Sequence, residues 1–242
     1  MLKAFSVTDV GKRRQLNQDY IYVSEQAVGN LPNLFIVADG MGGHKAGDFA
    51  AKCTVETICT MADRSFEKNP ILILKKAIET ANENVHKKSV EDASYEGMGT
   101  TVVAASCLGK YLQIANVGDS RLYVIGKEIK QITTDHSLVE EMIRMGGIDR
   151  KAAKNHPDKN IITRAVGANE TIEIDFFTIE LDAREKILMC SDGLTNMLED
   201  HEIRNIVQGF GSIEHRARQL VAAANARGGK DNISVILIEQ TA

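Results

Sequence analysis

The residues most able to do chemistry in this sequence are aspartates placed where a buried strand runs out. Leu34-Phe35-Ile36-Val37-Ala38 runs straight into Asp39-Gly40-Met41-Gly42-Gly43; Lys186 to Ser191 runs into Asp192-Gly193; Leu112 to Val117 runs into Gly118-Asp119. Asp231, in Gly228-Gly229-Lys230-Asp231-Asn232, precedes the last apolar run, and Asp19 opens an early one. Asp-Gly is a common turn dipeptide, so any one of these reads as a turn. Five in comparable settings read differently, because a carboxylate at the edge of an apolar run is costly to desolvate unless it is paired or bound to a cation. The neighbouring glycines let the backbone approach a ligand and present a carbonyl oxygen to it.

If the five converge, the ligand set is all oxygen. That selects Mg²⁺ or Mn²⁺, with Ca²⁺ less suited to chemistry and Zn²⁺ disfavoured. Two such ions sharing a carboxylate activate water and clamp the oxygens of a phosphoryl group. Arg14 offers that group a planar, bidentate partner, and Arg13 beside it a charge.

Other chemistries fail on detail. Gly42 to Asp48 has glycines at P-loop spacing, but Asp48-Phe49 stands where Lys-Ser/Thr is required. His201-Glu202 begins like a zinc-protease helix without its second histidine. Gly118-Asp119-Ser120-Arg121 has part of a GDSL-esterase nucleophile block, but it lies mid-chain, has Arg for Leu, and no Asp-x-x-His occurs to complete it. Asp135-His136-Ser137 reads as a helix N-cap, by Ser137 or Asp135, ahead of Glu140-Glu141.

Elements must exist to bring these residues together. Strand patterns cover Asp19 to Val23, Leu34 to Ala38, Thr101 to Cys107, Tyr111 to Val117, Arg121 to Ile125, Phe176 to Leu181, Lys186 to Cys190 and Ile233 to Glu239. Leu108-Gly109-Lys110 and Gly118-Asp119-Ser120 are of hairpin length, which predicts antiparallel pairing across each. Helical patterns cover Ala46 to Phe66, Ile71 to Asp92, Ser137 to Met145, Thr195 to Phe210 and Ile213 to Arg227. Strands, a helix pair, strands and another pair predict an α+β layered architecture with largely antiparallel sheet. Gly146 to Val166, with a short helical piece at Arg150 to Lys154, reads as an excursion from that core, a candidate flap. With three prolines and no Ser/Gly-rich tract, one compact domain over 1–242 is expected.

The 242 residues carry 29 Lys plus Arg against 33 Asp plus Glu, a net charge of −4. No basic run offsets that, so nucleic acid is not expected as a partner. The apolar runs stop at five residues, far short of the roughly 20 that span a bilayer, so no membrane insertion is expected. The N-terminus lacks a signal-like apolar stretch, which predicts a cytoplasmic protein. Cys53, Cys59, Cys107 and Cys190 show no Cys-x-x-Cys spacing and are expected to be small buried hydrophobes.

Taken in order, Arg14-x-x-Asn17-Gln18-Asp19, Asp39-Gly40-Met41-Gly42-Gly43, Gly99-Thr100-Thr101, Gly118-Asp119-Ser120-Arg121, Asp135-His136-Ser137, Ser191-Asp192-Gly193-Leu194 and Asp231-Asn232 resemble the metal-dependent protein phosphatases, the PPM or type 2C family, in its short bacterial form. The resemblance implies a central antiparallel β-sandwich flanked by helix pairs on both faces, four layers in αββα order, with a dinuclear Mn²⁺/Mg²⁺ centre at one end. Carried over by motif, Asp39 bridges two metals, Asp192 and Asp231 complete the first site, and the Gly40 carbonyl with waters serves the second. Asp119 matches a residue that helps hold a third, weaker metal, with Asp192 as a candidate shared ligand. Arg14 matches the phosphate-binding arginine, and Asp19 resembles an acceptor that orients metal-bound water.

The implied reaction is in-line attack of metal-activated water on a phosphoserine or phosphothreonine monoester, without a phosphoenzyme. The partners implied are phosphorylated proteins, with a cognate bacterial Ser/Thr kinase as the opposing enzyme. Two positions depart from many eukaryotic members. Met41 replaces a histidine proposed there as general acid, which leaves His44 or a metal-bound water as candidates, and Gln18 replaces a glutamate. The reading from another class is a non-catalytic phosphoprotein-binding module on the same fold; such a protein is expected to have lost ligands, and Arg14, Asp39, Asp119, Asp192 and Asp231 are all present.

Overall fold

Alternate residues of the central strands face different cores, and that alternation explains why those strands are apolar throughout. A computed structural model of the chain describes residues 2–43, 45–154 and 156–240. In β3 (Leu34–Met41), Phe35 and Val37 enter a core between two sheets, whereas Leu34, Ile36 and Ala38 face a core under α1 (Ala46–Asp63) and α2 (Pro70–Glu91). In β10 (Lys186–Cys190), Ile187 and Met189 enter the core between the sheets. Leu188 and Cys190 instead face α5 (Asp192–Thr195), α6 (Asp200–Val207) and α7 (Ile213–Ala226). Three cores separate four layers in the order αββα.

Every ladder in both sheets is antiparallel. One sheet runs β1 (Leu2–Asp9), β11 (Ile233–Gln240), β10, β7 (Arg121–Ile125), β8 (Ile129–Gln131). The other runs β2 (Asp19–Ser24), β3, β5 (Val102–Leu108), β6 (Tyr111–Val117), β9 (Asp175–Glu180), with β4 (Gly99–Thr100) paired to the end of β3. No helix among the described residues is long and apolar enough to cross a membrane.

Five expectations need correction. The connection Gly118–Ser120 is as short as a hairpin but closes none, because β6 lies in one sheet and β7 in the other. The expected strand Thr101 to Cys107 begins one residue later. Thr101 has left the ladder to bond Asp39, donating its N–H to the Asp39 carbonyl at 2.9 Å and accepting from the Asp39 N–H through Oγ1 at 3.0 Å. The stretch Thr195 to Phe210 is two helices, because Glu199 and Glu202 form a capping box that starts α6 afresh. β1 carries no clear strand signal in sequence: Lys3, Ser6 and Thr8 dilute its pattern, and its order comes from an eight-residue register with β11. Cys107 and Cys190 are buried, but Cys53 and Cys59 sit on the flank of α1 and are only half-buried.

The Gly146 to Val166 segment leaves α3 (Leu138–Arg144), passes through α4 (Arg150–Lys154) and returns to the sheets. Its return is fixed by Leu138 N–H to the Ile161 carbonyl at 2.9 Å, Thr163 N–H to the His136 carbonyl at 2.8 Å, and a two-way bond between Thr100 and Val166. Ser137 caps α3 by accepting from the Glu140 N–H; Asp135 instead takes a fork from Arg121, with Nε at 2.9 Å and a terminal nitrogen at 2.6 Å.

Candidate active site

The ladders bring the five aspartates to one end of the sandwich. Antiparallel pairing sets the C-terminal ends of β3, β6 and β10 beside the N-terminal ends of β2 and β11. Asp39 lies in β3 directly opposite Asp19 in β2. Asp119 lies on the connection between sheets, Asp192 opens α5, and Asp231 lies just ahead of β11.

Close backbone approach accounts for two of the glycines. A Cβ on Gly40 would overlap the Gly47 carbonyl, and one on Gly193 the Asn232 carbonyl. Asn232 holds the loop carrying Arg14 closed. Its side-chain carbonyl accepts from Gln18 N–H at 2.8 Å, and its amide donates to the Val10 and Leu16 carbonyls at 3.0 and 2.9 Å. Ser191 donates its hydroxyl to Asp19 Oδ2 at 2.7 Å, Asn196 donates to Asp192 Oδ2 at 2.8 Å, and Arg14 donates to Asp231 Oδ2 at 2.7 Å. Sequence patterns assign no role to Ser191, Asn196, Asn232 or Thr101. Asn196, four residues after Asp192 at the end of the same short helix, has a usable spacing signal; the others act on residues far away in sequence.

The electrostatics of the cluster are unfavourable by themselves. Burial pushes Asp19 up to about 7, with the Asp192 and Asp231 charges adding to it against hydrogen bonds from Ser191 and Ser234. Burial pushes Asp119 up to about 8, with Asp192 and Asp135 adding to it while Arg121 opposes. Asp192 is raised to about 6 by burial and by Asp231. Asp39 is raised well above the carboxylate range by burial, then by Asp19, Asp192, Asp119 and Asp231. Those interactions identify Asp39 as the middle of the group.

One oxygen on each of Asp19, Asp119 and Asp192, the Oδ1 in every case, is buried with no hydrogen-bond partner. Buried polar atoms are seldom left so, and an unpaired oxygen in a like-charged group fits a hard divalent cation. Among the described residues no three His, Cys, Asp or Glu side chains close into a ready-made cage. The donor set therefore fits an ion that keeps much of its water, as Mg²⁺ does. Met41 faces Gly99 across the β3–β4 pair and is a thioether with no proton to give; His44 lies outside the described residues. Gln18 is buried, and its amide reaches the Gly42 carbonyl at 3.4 Å.

The family model for protein phosphatase 2C matches residues 11–237. The serine/threonine phosphatase stp of Listeria welshimeri is 39% identical over 241 residues, covering 96% of this chain and 94% of that protein. The crystal structure of the serine/threonine phosphatase Stp1 from Staphylococcus aureus superposes with a TM-score of 0.93 at 35% identity, covering 100% of this chain and 96% of that one. The catalytic domain of the phosphatase PstP, solved in complex with two manganese ions, superposes at 0.86 with 29% identity, covering 98% of this chain and 97% of that one. The chain belongs to the protein phosphatase 2C family. It is a serine/threonine phosphatase that depends on divalent metal and acts on phosphoproteins.

Proposed function

We propose that residues 1–242 form one phosphatase domain that hydrolyses phosphoserine and phosphothreonine monoesters in the cytoplasm, opposing a bacterial Ser/Thr kinase and acting on that kinase's substrates, with no nucleic-acid partner. The metals are Mn²⁺ or Mg²⁺. Asp39, Asp192, Asp231 and the Gly40 carbonyl would hold two of them. Asp119, with Asp192, would hold a weaker third. The observation that carries this reading is the set of buried, unpartnered Oδ1 atoms of Asp19, Asp119 and Asp192 grouped around Asp39.

When bound, the cations neutralise the carboxylates, acidify water and draw charge from the phosphoryl oxygens. The rest of the work belongs to the chain. Arg14 is half-exposed, and one of its five N–H groups is bonded to Asp231, so its others are available to a phosphate at the mouth. Asp19 is held by Ser191 through Oδ2 and keeps Oδ1 as an acceptor for a water proton. Thr101 fixes the Asp39 backbone from both sides. Met41 cannot protonate the leaving alkoxide, which leaves His44 or water to supply that proton. The 146–166 segment acts as a flap at the substrate side.

The deciding assay measures phosphate release from a phosphothreonine peptide with Mn²⁺ and again after chelation. Release that stops on chelation and returns with Mn²⁺ is the expected result. Binding of the peptide without release in Mn²⁺ would establish a non-catalytic binding module instead.

A further inference from the structure

The Gly118–Asp119 connection leaves one sheet for the other, so no ladder partner holds it in place. His136 does. Its imidazole is buried, and Nδ1 accepts from the Gly118 N–H at 3.0 Å, while the His136 N–H donates to the Gly118 carbonyl at 3.0 Å. Both backbone polar groups of Gly118 therefore meet His136, and its carbonyl takes one further, longer bond from the Asn116 amide at 3.4 Å. On its other side Gly118 packs so closely on Thr101 that a Cβ would not fit, and its φ of +102° suits only glycine.

An Nδ1 that accepts leaves the proton of a neutral ring on Nε2. Nε2 lies 3.1 Å from Asp175 Oδ2, a bond in which the ring donates. Asp175 begins β9 opposite Asn116, so the sheet fixes it. Its second oxygen accepts from Arg164 at 3.0 Å, and Arg164 also reaches Glu173 at 3.2 Å. The 3.4 Å approach of Arg164 to Nε2 sets two N–H donors together and is no bond. Arg164 belongs to the returning end of the 146–166 segment, whose Thr163 is bonded to His136 itself. A continuous chain thus runs from the segment through Arg164, Asp175 and His136 to the turn that carries Asp119.

We propose that His136 is a positioning residue: with Asp175 fixing its tautomer and Arg164 fixing Asp175, it sets the Gly118–Asp119 turn and ties the 146–166 segment to the metal affinity of Asp119. The inference rests on the reading of Asp119 as a metal-binding residue.

The test uses the full chain, stripped of metal, with Mn²⁺ as the probe. Calorimetric titration compares the wild type with Asp119→Asn, His136→Ala, His136→Asn and Asp175→Ala, each checked for folding by circular dichroism. His136→Ala is expected to weaken the lower-affinity Mn²⁺ event about 10-fold, and Asp175→Ala in the same direction. His136→Asn, whose Oδ1 can replace Nδ1 as acceptor, is expected to recover part of the loss. Ring ¹⁵N spectra of the metal-free wild type are expected to show the proton on Nε2; a proton on Nδ1 overturns the proposal without any variant. If Asp119→Asn loses Mn²⁺ while His136→Ala and Asp175→Ala bind as wild type, the positioning role falls alone. Unchanged Mn²⁺ binding in Asp119→Asn removes the metal role of Asp119, and the proposal with it.

Discussion

Asp19 stands directly opposite Asp39 in the β2–β3 register, so the ladder itself forces two carboxylates together at the buried end of the sandwich. The Asp19 charge raises the affinity of Asp39 for a proton, on top of the larger cost of burial. The metal-free fold consequently holds protons that the unfolded chain releases near pH 4.

A pH dependence follows from linkage. With Asp192 near 6, Asp19 near 7 and Asp119 near 8 in the folded state, against 3.8 for an ordinary solvated aspartate, the folded chain binds more protons throughout that window. Stability then falls as pH rises, and nothing is lost on this account below pH 4. The melting temperature of the metal-free protein is expected to drop from about pH 5 to 8, and Mn²⁺ at pH 8 to restore it. Asp39→Asn is expected to flatten the slope. A metal-free melting temperature that stays level across the window, measured by scanning calorimetry, would contradict the crowding of these carboxyls.

Asp192 carries the most direct test of the ligand set. Asp192→Asn is nearly isosteric, keeps the oxygen that Asn196 bonds, and removes the negative charge. Turnover is expected to be abolished and Mn²⁺ content reduced while the far-ultraviolet spectrum is unchanged. Full activity at unchanged metal content would remove Asp192 from the site.

Arg14 separates binding from folding. Its bond to Asp231 is a half-exposed pair, of a kind that contributes about 1 kcal/mol or less. Arg14→Ala is expected to leave the melting temperature within a few degrees and raise KM for phosphopeptides about 10-fold or more. An unchanged KM would transfer the phosphate contact to Arg13 or to no arginine.

Gly193 tests the packing behind the site. Since any Cβ there overlaps the Asn232 carbonyl, Gly193→Ala must displace the turn that Asn232 closes. A loss of about 3 kcal/mol in urea unfolding is expected, with turnover falling alongside it. Wild-type stability would mean that the two backbones can separate freely.

The carboxylates are legible in the sequence because each abuts an apolar run, a local signal. The strands are legible for the same reason, since burial on both faces removes polar residues from them. The crossing at Gly118–Ser120 is not, because a three-residue connection has the same length whether it returns to its own sheet or enters another. β1 is hidden because Lys3, Ser6 and Thr8 break up an edge strand whose other residues touch two cores only at their margins, and it owes its place to β11. Thr101, Ser191, Asn232 and His136 stand inside the quoted motifs without showing what they hold; their partners lie between 18 and 222 positions away, a relation no local pattern contains.

The pairing of β1 with β11 has a consequence for how the protein is made. Leu2 lies opposite Gln240, and Asp9 opposite Ile233. The loop that bears Arg14 follows β1, and Asn232, which latches that loop, precedes β11. During synthesis the first strand leaves the ribosome with nothing to pair with until the last one emerges. Such distant closure is slow, and a growing chain is expected to strip no phosphate from its neighbours until β11 has met β1.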